Sequence, residues 1–474
     1  MCVQTGLGQI PNSKWYNAID FIILMARLLT VLAVIVFSIS IFFHADFFTN
    51  SPDTGFYADI ARNFVKQGEL SSNYFMLSFI KFAPKTIHGK WPPRFPPLYP
   101  FTIAISFLIF GVSDLSVALT SGFFFIATVP LLYNFAKTIF DERTARLSTV
   151  WYIFCFPLLS YAVIGLSEPL FTFLILSSLI LVFVKNPHFF LPGISVGLSY
   201  LTKTQGMLLL FPIAIYIFKS KPEKIRNTLS FLAGFLSILV LSKIFLPTPA
   251  LDHLPVSSHQ LWNMLAYDAF VSHQDFTRTL VPVGYNDVLS HTDAIIRKFV
   301  LNTHVFLQDI LGNPISLMIA LFFLHFIKRE TKRQIIYLRF LVLALLGIFS
   351  IVHIATIFEL RYIYPLFPLV YIFAADMFIS FVNANRPQRI GSWSFCFTVF
   401  FVILPFLVSP GLITYATSSI KNPRKPAIAK IIGTFAKQNT PQSAVIATDS
   451  PSALTWYGRE ELFLSQLNYK ILKQ

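Results

Sequence analysis

The sequence predicts an all-α membrane protein that crosses the bilayer many times. Three observations carry that prediction. Only 12% of the 474 residues are charged, while 55% are hydrophobic. A soluble domain of ordinary composition carries about a quarter charged residues, so this chain lacks the charges to coat a water-facing surface of its size. The mean hydropathy is +0.65, and apolar runs recur along most of the length, the pattern of a polytopic membrane protein. Short basic loops separate several of those runs.

A helix needs about 20 apolar residues to cross a bilayer, and fewer when neighbours cover its ends. The candidate runs are Phe21–Phe43, Leu98–Phe110, Leu115–Phe135, Leu147–Ile164, Leu170–Val184, Phe189–Leu201 and Met207–Phe218. Leu229–Leu246, a run ending at Phe326, Phe340–Phe358, Tyr362–Phe381 and Trp393–Val408 follow. The first run is too long for a cleaved signal peptide, and no small-residue cleavage site follows it.

Loop charge sets the sidedness. Residues 219–226, 328–333 and 385–389 are short and strongly basic, so the positive-inside rule makes them cytoplasmic. With Lys14 also inside, the first helix exits outward, and an odd number of further crossings must bring the chain back in before Lys219. Leu98–Phe110 is short and follows Pro92, Pro93, Pro96 and Pro97. It is expected to lie in the outer interface instead of crossing. About 11 spanning helices result from this sidedness.

The expected organisation is a transmembrane domain over residues 1–408 and a short outer C-terminal segment over 409–474. The transmembrane domain includes a first outer loop (44–97), an interfacial helix (98–111) and a second large outer loop (247–298). Within the tail, Ala444 to Ala447 reads as a short strand before the turn-forming Asp449 and Pro451. The tail is too small to form much of a domain.

Composition excludes several classes. There are 37 Lys and Arg against 22 Asp and Glu, but the basic residues are scattered among short loops. Helix orientation is their plainest use, and nucleic acid is not an expected partner. The three cysteines, Cys2, Cys155 and Cys396, form no CxxC pair, so no disulfide framework or zinc site follows. His253, His259, His273, His291 and His304 lack metal-ligand spacing. Gly193-Ile-Ser195-Val-Gly197 matches the GxSxG pattern of serine hydrolases. It lies in an apolar helix with no preceding strand, and its glycines read as a close-packing face.

Ionisable residues at membrane-helix ends are functional candidates because burying them is costly. On the predicted topology many face the outer side: Asp46, Asp53, Asp59, Lys81, Lys85, His88, Lys90 and Arg94, joined by Glu168, Lys203, Glu359 and Arg361. A carboxylate can orient or deprotonate a nucleophile, and cations can stabilise a departing phosphate. Each has a plainer reading as well. Asp53 could cap a helix, Glu168 could begin one ahead of Pro169, Arg361 could snorkel to the interface, and Lys203 could be an inert loop charge.

A family resemblance sharpens these choices. Asp53-Thr-Gly-Phe-Tyr57-Ala-Asp-Ile-Ala61-Arg62 resembles the first-loop motif of GT-C glycosyltransferases, in particular protein O-mannosyltransferases and the aminoarabinose transferases that modify lipid A. The segment from Arg94 through Leu98 and Tyr99 to Gly111 resembles the "PPLYY…FG" segment of that family. Leu166-Ser-Glu168-Pro169-Leu170 resembles "TDPLL", and Leu201-Thr-Lys203-Thr-Gln-Gly206 resembles "LTKGPG". Glu359-Leu-Arg361-Tyr362 through Pro368 resembles "ARYLLPLLP". The motifs occur in the family's order across roughly Phe21 to Phe381.

The resemblance implies a GT-C helical bundle with juxtamembrane helices on its outer face. It also implies transfer of a sugar from a polyprenyl-phosphate donor, with inversion, to a lipid, glycan or protein acceptor. Asp53 would be the catalytic carboxylate, with Glu168 as a second acid. Lys203 and Arg361 would hold the donor phosphate, helped by Lys85 or Arg94, while Tyr57, Glu359 and Tyr362 would contact substrate. No cofactor is required on this reading, although some relatives use a divalent metal. A bacterial inner membrane with a periplasmic site is the expected location. Two positions depart from the family: Thr54 stands where Glu is common, and Glu168 where Asp is usual. A transporter or flippase, or a non-catalytic subunit of this fold, remain the alternatives. A structure holding Asp53 far from Arg361 would favour the latter.

Overall fold

The computed structural model describes residues 12–43, 52–76, 95–220, 222–245, 289–290, 292–312, 315–356, 359–384, 425–439, 441, 446–448, 456–457 and 463–465. The architecture is a helical membrane bundle carrying a small outer layer.

The first membrane helix, α1 (Asn12–Phe43), leads to a short amphipathic helix, α2 (Pro52–Gln67). Strand β1 (Tyr74–Met76) follows, and then α3 (Leu98–Phe110). At 13 residues and 1.5 Å per residue, α3 is about 20 Å long, too short to cross a bilayer core of about 30 Å unaided. Glycine at 111 ends it with a φ of +81°, a conformation that only glycine adopts without penalty.

The long helix α4 (Asp114–Ile139) begins at Ser113, whose side chain accepts from the Ser116 amide at 3.2 Å. Helix α5 (Glu142–Ile153) is capped the same way by Asp141, which accepts from the Thr144 amide at 2.8 Å. The apolar run predicted as one span over Leu147–Ile164 is instead two helices. α5 and α6 (Phe156–Val163) meet at 51°, because Pro157 has no amide to continue the α5 ladder and its ring blocks the preceding turn.

Helices α7 (Glu168–Phe183), α8 (Phe190–Thr202), α9 (Leu210–Ser220) and α10 (Lys224–Phe245) continue the bundle. A 3-10 turn over Thr204–Leu209 precedes α9. The GxSxG glycines are a packing face: a Cβ on Gly193 would lie 2.0 Å from the Phe231 carbonyl oxygen, and one on Gly234 2.1 Å from that of Phe190. The α8 and α10 backbones therefore touch.

The remaining membrane helices are α11 (Thr292–Leu311), α12 (Ile315–Leu324), α13 (Arg333–Ala355) and α14 (Phe367–Ala384). Among the described residues, 5 helices are long and apolar enough to cross singly, and two bent pairs reach that length together. The predicted run Trp393–Val408 lies outside the described residues, as does most of the loop at 247–298. The core is aromatic: Trp151, Tyr133, Tyr152, Phe125, Phe171 and Phe373 are almost wholly enclosed.

After the bundle come α15 (Lys425–Asn439) and two strands, β2 (Ile446–Thr448) and β3 (Phe463–Ser465). Of the strand expected at Ala444 to Ala447, Ile446 and Ala447 lie in β2, and Ala444 and Val445 lie outside the described residues. β3 sits between the other two, parallel to both, pairing Tyr74 with Phe463 and Ile446 with Phe463. The tail and the first loop share one sheet.

Candidate active site

The site is assembled at four helix ends. Asp53 lies in the first turn of α2, and Glu168 is the first residue of α7. Lys203 follows the last residue of α8, and Arg361 sits in a 3-10 turn (Leu360–Tyr362) just before α14. Carboxylates in the first turns of α2 and α7 complement the positive end of the helix dipole. Glu168 therefore begins its helix, the plainer role considered for it. Asp53 is within α2, not its cap.

Arg361 is the hub. One terminal nitrogen lies 2.7 Å from an Asp53 oxygen. Its Nε lies 2.7 Å from Glu359 and 4.0 Å from Glu168 Oε1. Lys203 Nζ donates to that same Glu168 oxygen at 2.6 Å. Glu168 is 1% exposed and Lys203 8%, whereas the side chains of Asp53 and Arg361 are each 21% exposed. The pairs grade from a buried floor to an open mouth.

Tyr362 stands between the cations. Its ring centroid is 5.2 Å from Lys203 Nζ and 5.0 Å from the Arg361 guanidinium carbon, within reach of cation–π attraction. Its hydroxyl accepts from Arg361 at 3.1 Å. His353, in the last turn of α13, stacks on the Tyr362 ring at 4.6 Å and 14°. Tyr57 is buried against Phe95 and Tyr99. Burial, with the charges of Asp53 and Glu168, pushes its phenol well above the ordinary value, so it stays a neutral hydrogen-bonding group.

The loop that presents Glu168 is fastened residue by residue. Thr54 donates to the Ile164 carbonyl at 2.9 Å, Tyr99 to that of Gly165 at 2.8 Å, and Ser121 to that of Leu166 at 2.5 Å. The Tyr57 and Ser167 hydroxyls are 3.3 Å apart. Helices α2, α3 and α4 thus each supply a hydroxyl to one loop. Gly165 has a φ of +74°, and a Cβ there would meet Val117 at 2.7 Å and Thr54 at 3.3 Å. Thr54, one of the two residues that depart from the family pattern, is wholly enclosed and serves this fastening.

Of the residues singled out from sequence, Asp53, Tyr57, Glu168, Lys203, Glu359, Arg361 and Tyr362 lie together. Lys85 and Arg94 lie outside the described residues, as do Asp46, Lys81, His88 and Lys90. Asp59 is elsewhere in α2, within a cage of its own. It accepts from Arg62 at 2.7 Å, from Ser72 at 3.2 Å, and from the Asn73 amide and side chain at 2.8 and 3.1 Å. Sequence reasoning missed His353, whose one signal was an ionisable residue at the end of an apolar helix. It also missed the fastening hydroxyls, which have no distinguishing pattern. Among the described residues, no group of three or more His, Cys, Asp and Glu side chains is placed to hold a metal.

A second charged cluster lies far from this site. Asp376 of α14 accepts from His325 at 3.0 Å and from Lys328, which also donates to Ser380 at 2.9 Å. Lys328 belongs to the strongly basic loop at 328–333.

Comparison with known proteins agrees with this architecture. Residues 94–246 match the model of the dolichyl-phosphate-mannose-protein mannosyltransferase family. A protein of Aquifex aeolicus (strain VF5) without an assigned function is 27% identical over 198 residues. That match covers 40% of this chain and 37% of the length of the relative. Among solved structures, ArnT from Cupriavidus metallidurans bound to undecaprenyl phosphate aligns with a TM-score of 0.57 at 12% identity. The alignment covers 93% of this chain and 86% of that one. The oligosaccharyltransferase AglB from Archaeoglobus fulgidus, in complex with an inhibitory peptide and a dolichol-phosphate, aligns with a TM-score of 0.56 at 12% identity. There the coverage is 91% of this chain and 64% of the other. The chain is a multi-pass membrane protein with the GT-C fold of ArnT and AglB, and its residues 94–246 follow the sequence pattern of the mannosyltransferase family model.

Proposed function

We propose that this protein is a glycosyltransferase that moves a sugar from a polyprenyl-phosphate donor to a lipid, glycan or protein acceptor. The observation that carries the reading is the joined charge system at one rim: Asp53 on Arg361 at 2.7 Å, Arg361 beside Glu168, and Glu168 on Lys203 at 2.6 Å. The motifs containing these residues are far apart in sequence. A non-catalytic or transport protein would not need a carboxylate and a guanidinium paired at the open mouth of the site.

In the proposed reaction an acceptor hydroxyl or amine, oriented by Asp53, attacks the anomeric carbon. The carbon–oxygen bond to the phosphate breaks as the new bond forms, with inversion. The acceptor proton passes to the Asp53 carboxylate, and the lipid phosphate leaves with the sugar–oxygen electron pair. Arg361 neutralises that charge, and Lys203 supports it. Fixed cations aimed at a developing charge are the strongest kind of stabilisation available to such a step. Glu359, Tyr57 and Tyr362 line the sugar and acceptor side, and Lys85 and Arg94 are proposed as further donor contacts. With guanidinium and ammonium supplying the positive charge, transfer is expected to be unaffected by EDTA. The location that fits the sidedness is a bacterial inner membrane with the site facing the periplasm.

The test combines binding and turnover in nanodiscs. Arg361→Ala should weaken binding of undecaprenyl phosphate at least tenfold. Asp53→Asn should not weaken that binding, while abolishing transfer from a panel of tritiated undecaprenyl-phosphate sugars. Full transfer by folded Asp53→Asn protein would sink the proposal.

A further inference from the structure

The C-terminal tail reaches back to the helix that carries Asp53. Trp456 Nε1 and the Tyr457 hydroxyl both donate to the carboxylate of Asp114, the latter at 2.6 Å. Asp114 is the first residue of α4, a firmly packed membrane helix. One face of the Trp456 indole stacks on Phe107 of α3 at 5.9 Å and 24°. The Arg62 guanidinium of α2 lies 5.2 Å from the indole centroid and donates to the Trp456 carbonyl at 3.3 Å. Arg62 also holds Asp59, whose cage includes Asn73. The next residues, Tyr74–Met76, pair with β3 of the tail. The tail therefore grips α2 at a side chain and grips the chain just beyond it by its backbone.

We propose that this tail is a strap that sets the direction of α2, and that Trp456 and Asp114 are positioning residues for the Asp53 carboxylate; this rests on the function proposed above. The geometry gives the reason. Thr54 pins the start of α2 to the Ile164 carbonyl, and two points are needed to fix a line. The second is Arg62, about 12 Å along the helix. Freed there, α2 pivots on Thr54 and the neighbouring Asp53 carboxylate turns with it. Productive constellations tolerate about 10–20° of misorientation. Over a 12 Å lever that is a shift of about 2–4 Å at Arg62, the order of the gap left by an indole ring. Lys203 and Arg361 sit on other elements, so donor phosphate binding feels the strap only through the exposed Asp53–Arg361 pair and should change far less than turnover.

The experiment uses the full chain in nanodiscs, comparing Trp456→Ala, Trp456→Phe and Asp114→Asn. The measurements are turnover of tritiated undecaprenyl-phosphate mannose, or the most active donor of the panel, and binding of undecaprenyl phosphate. Misplacements of this size cost on the order of tenfold to a hundredfold in rate. Trp456→Ala and Asp114→Asn should lower kcat by that factor with phosphate binding within twofold, and Trp456→Phe, which keeps the stack, should recover part of it. Nitroxides on Gln67→Cys and Val112→Cys, with Cys2 and Cys396 replaced by Ser, should show a broadened distance between α2 and the turn before α4 in Trp456→Ala. An unchanged kcat, even beside a lowered melting temperature, or an unchanged distance distribution, overturns the strap. If the unmodified chain moves no sugar, the proposed function fails, and the spin-label distance decides the strap alone.

Discussion

Thr54 is one of two positions where the sequence departs from the family it resembles, and the structure gives the departure a cost. Its hydroxyl is buried and donates to the Ile164 carbonyl at 2.9 Å. Thr54→Val keeps the shape but leaves that buried acceptor unpaired, a loss of about 1–3 kcal/mol. Thr54→Ser keeps the donor and loses one methyl, about 0.8 kcal/mol. Thr54→Glu, which restores the common family residue, is the severe case. Thr54 is wholly enclosed beside Gly165 and the Ile164 carbonyl, and an ionised carboxylate has no partner there among the contacts described, so the helix start must move or the acid must stay protonated. The expected order of stability is wild type, then Ser, then Val, then Glu. At about 2–4 °C per kcal/mol for domains of 150–250 residues, and less for larger ones, the Val variant should melt on the order of 2–5 °C lower. Thermal unfolding followed by tryptophan fluorescence in detergent measures this, with sugar transfer assayed beside it. A Thr54→Glu protein that melts like wild type and transfers faster would refute the reasoning, since the position would then face the reacting groups.

Two further predictions concern buried contacts. Lys203→Met strands Glu168, which is 1% exposed, and should cost about 3–5 kcal/mol; adding Glu168→Gln should recover most of that stability in the same melting assay. Gly193→Ala places a Cβ where the Phe231 carbonyl oxygen would be 2.0 Å away. The α8 and α10 backbones must separate, costing about 1–3 kcal/mol, with loss of yield read by size-exclusion fluorescence.

Much of the framework was legible in the sequence because membrane physics is coarse. Apolar runs located the helices, and loop charge placed Asp53, Glu168, Lys203 and Arg361 on one side, where the structure brings them into contact. The bend between α5 and α6 was readable in principle from Pro157 but was masked by an unbroken apolar run. The sharing of a sheet by β1 and β3, and the Arg62–Trp456 contact, join residues nearly 400 positions apart; the Arg62 bond spans 394. No local propensity encodes such a pairing. Nor do the hydroxyls of Thr54, Tyr99 and Ser121 differ in sequence from any others at membrane depth, and only the fold aims them at one loop.

The sequence treated Lys203 and Arg361 as equal phosphate holders, and the geometry separates them. Lys203 is buried, committed to Glu168 at 2.6 Å, and its ammonium is a strongly hydrated point charge that is costly to strip twice. Arg361 is more open and already divides its planar fork between Asp53 and Glu359. A guanidinium can exchange one carboxylate for a phosphate while keeping the other, because its donors leave in different directions. Three carboxylates, Asp53, Glu168 and Glu359, surround these two cations, so an arriving phosphate must compete for positive charge. It competes most readily at the solvent-exposed Asp53–Arg361 pair. On the proposed reading, the exchange that lets Arg361 take the phosphate also releases Asp53 toward the acceptor, and donor binding itself prepares the base.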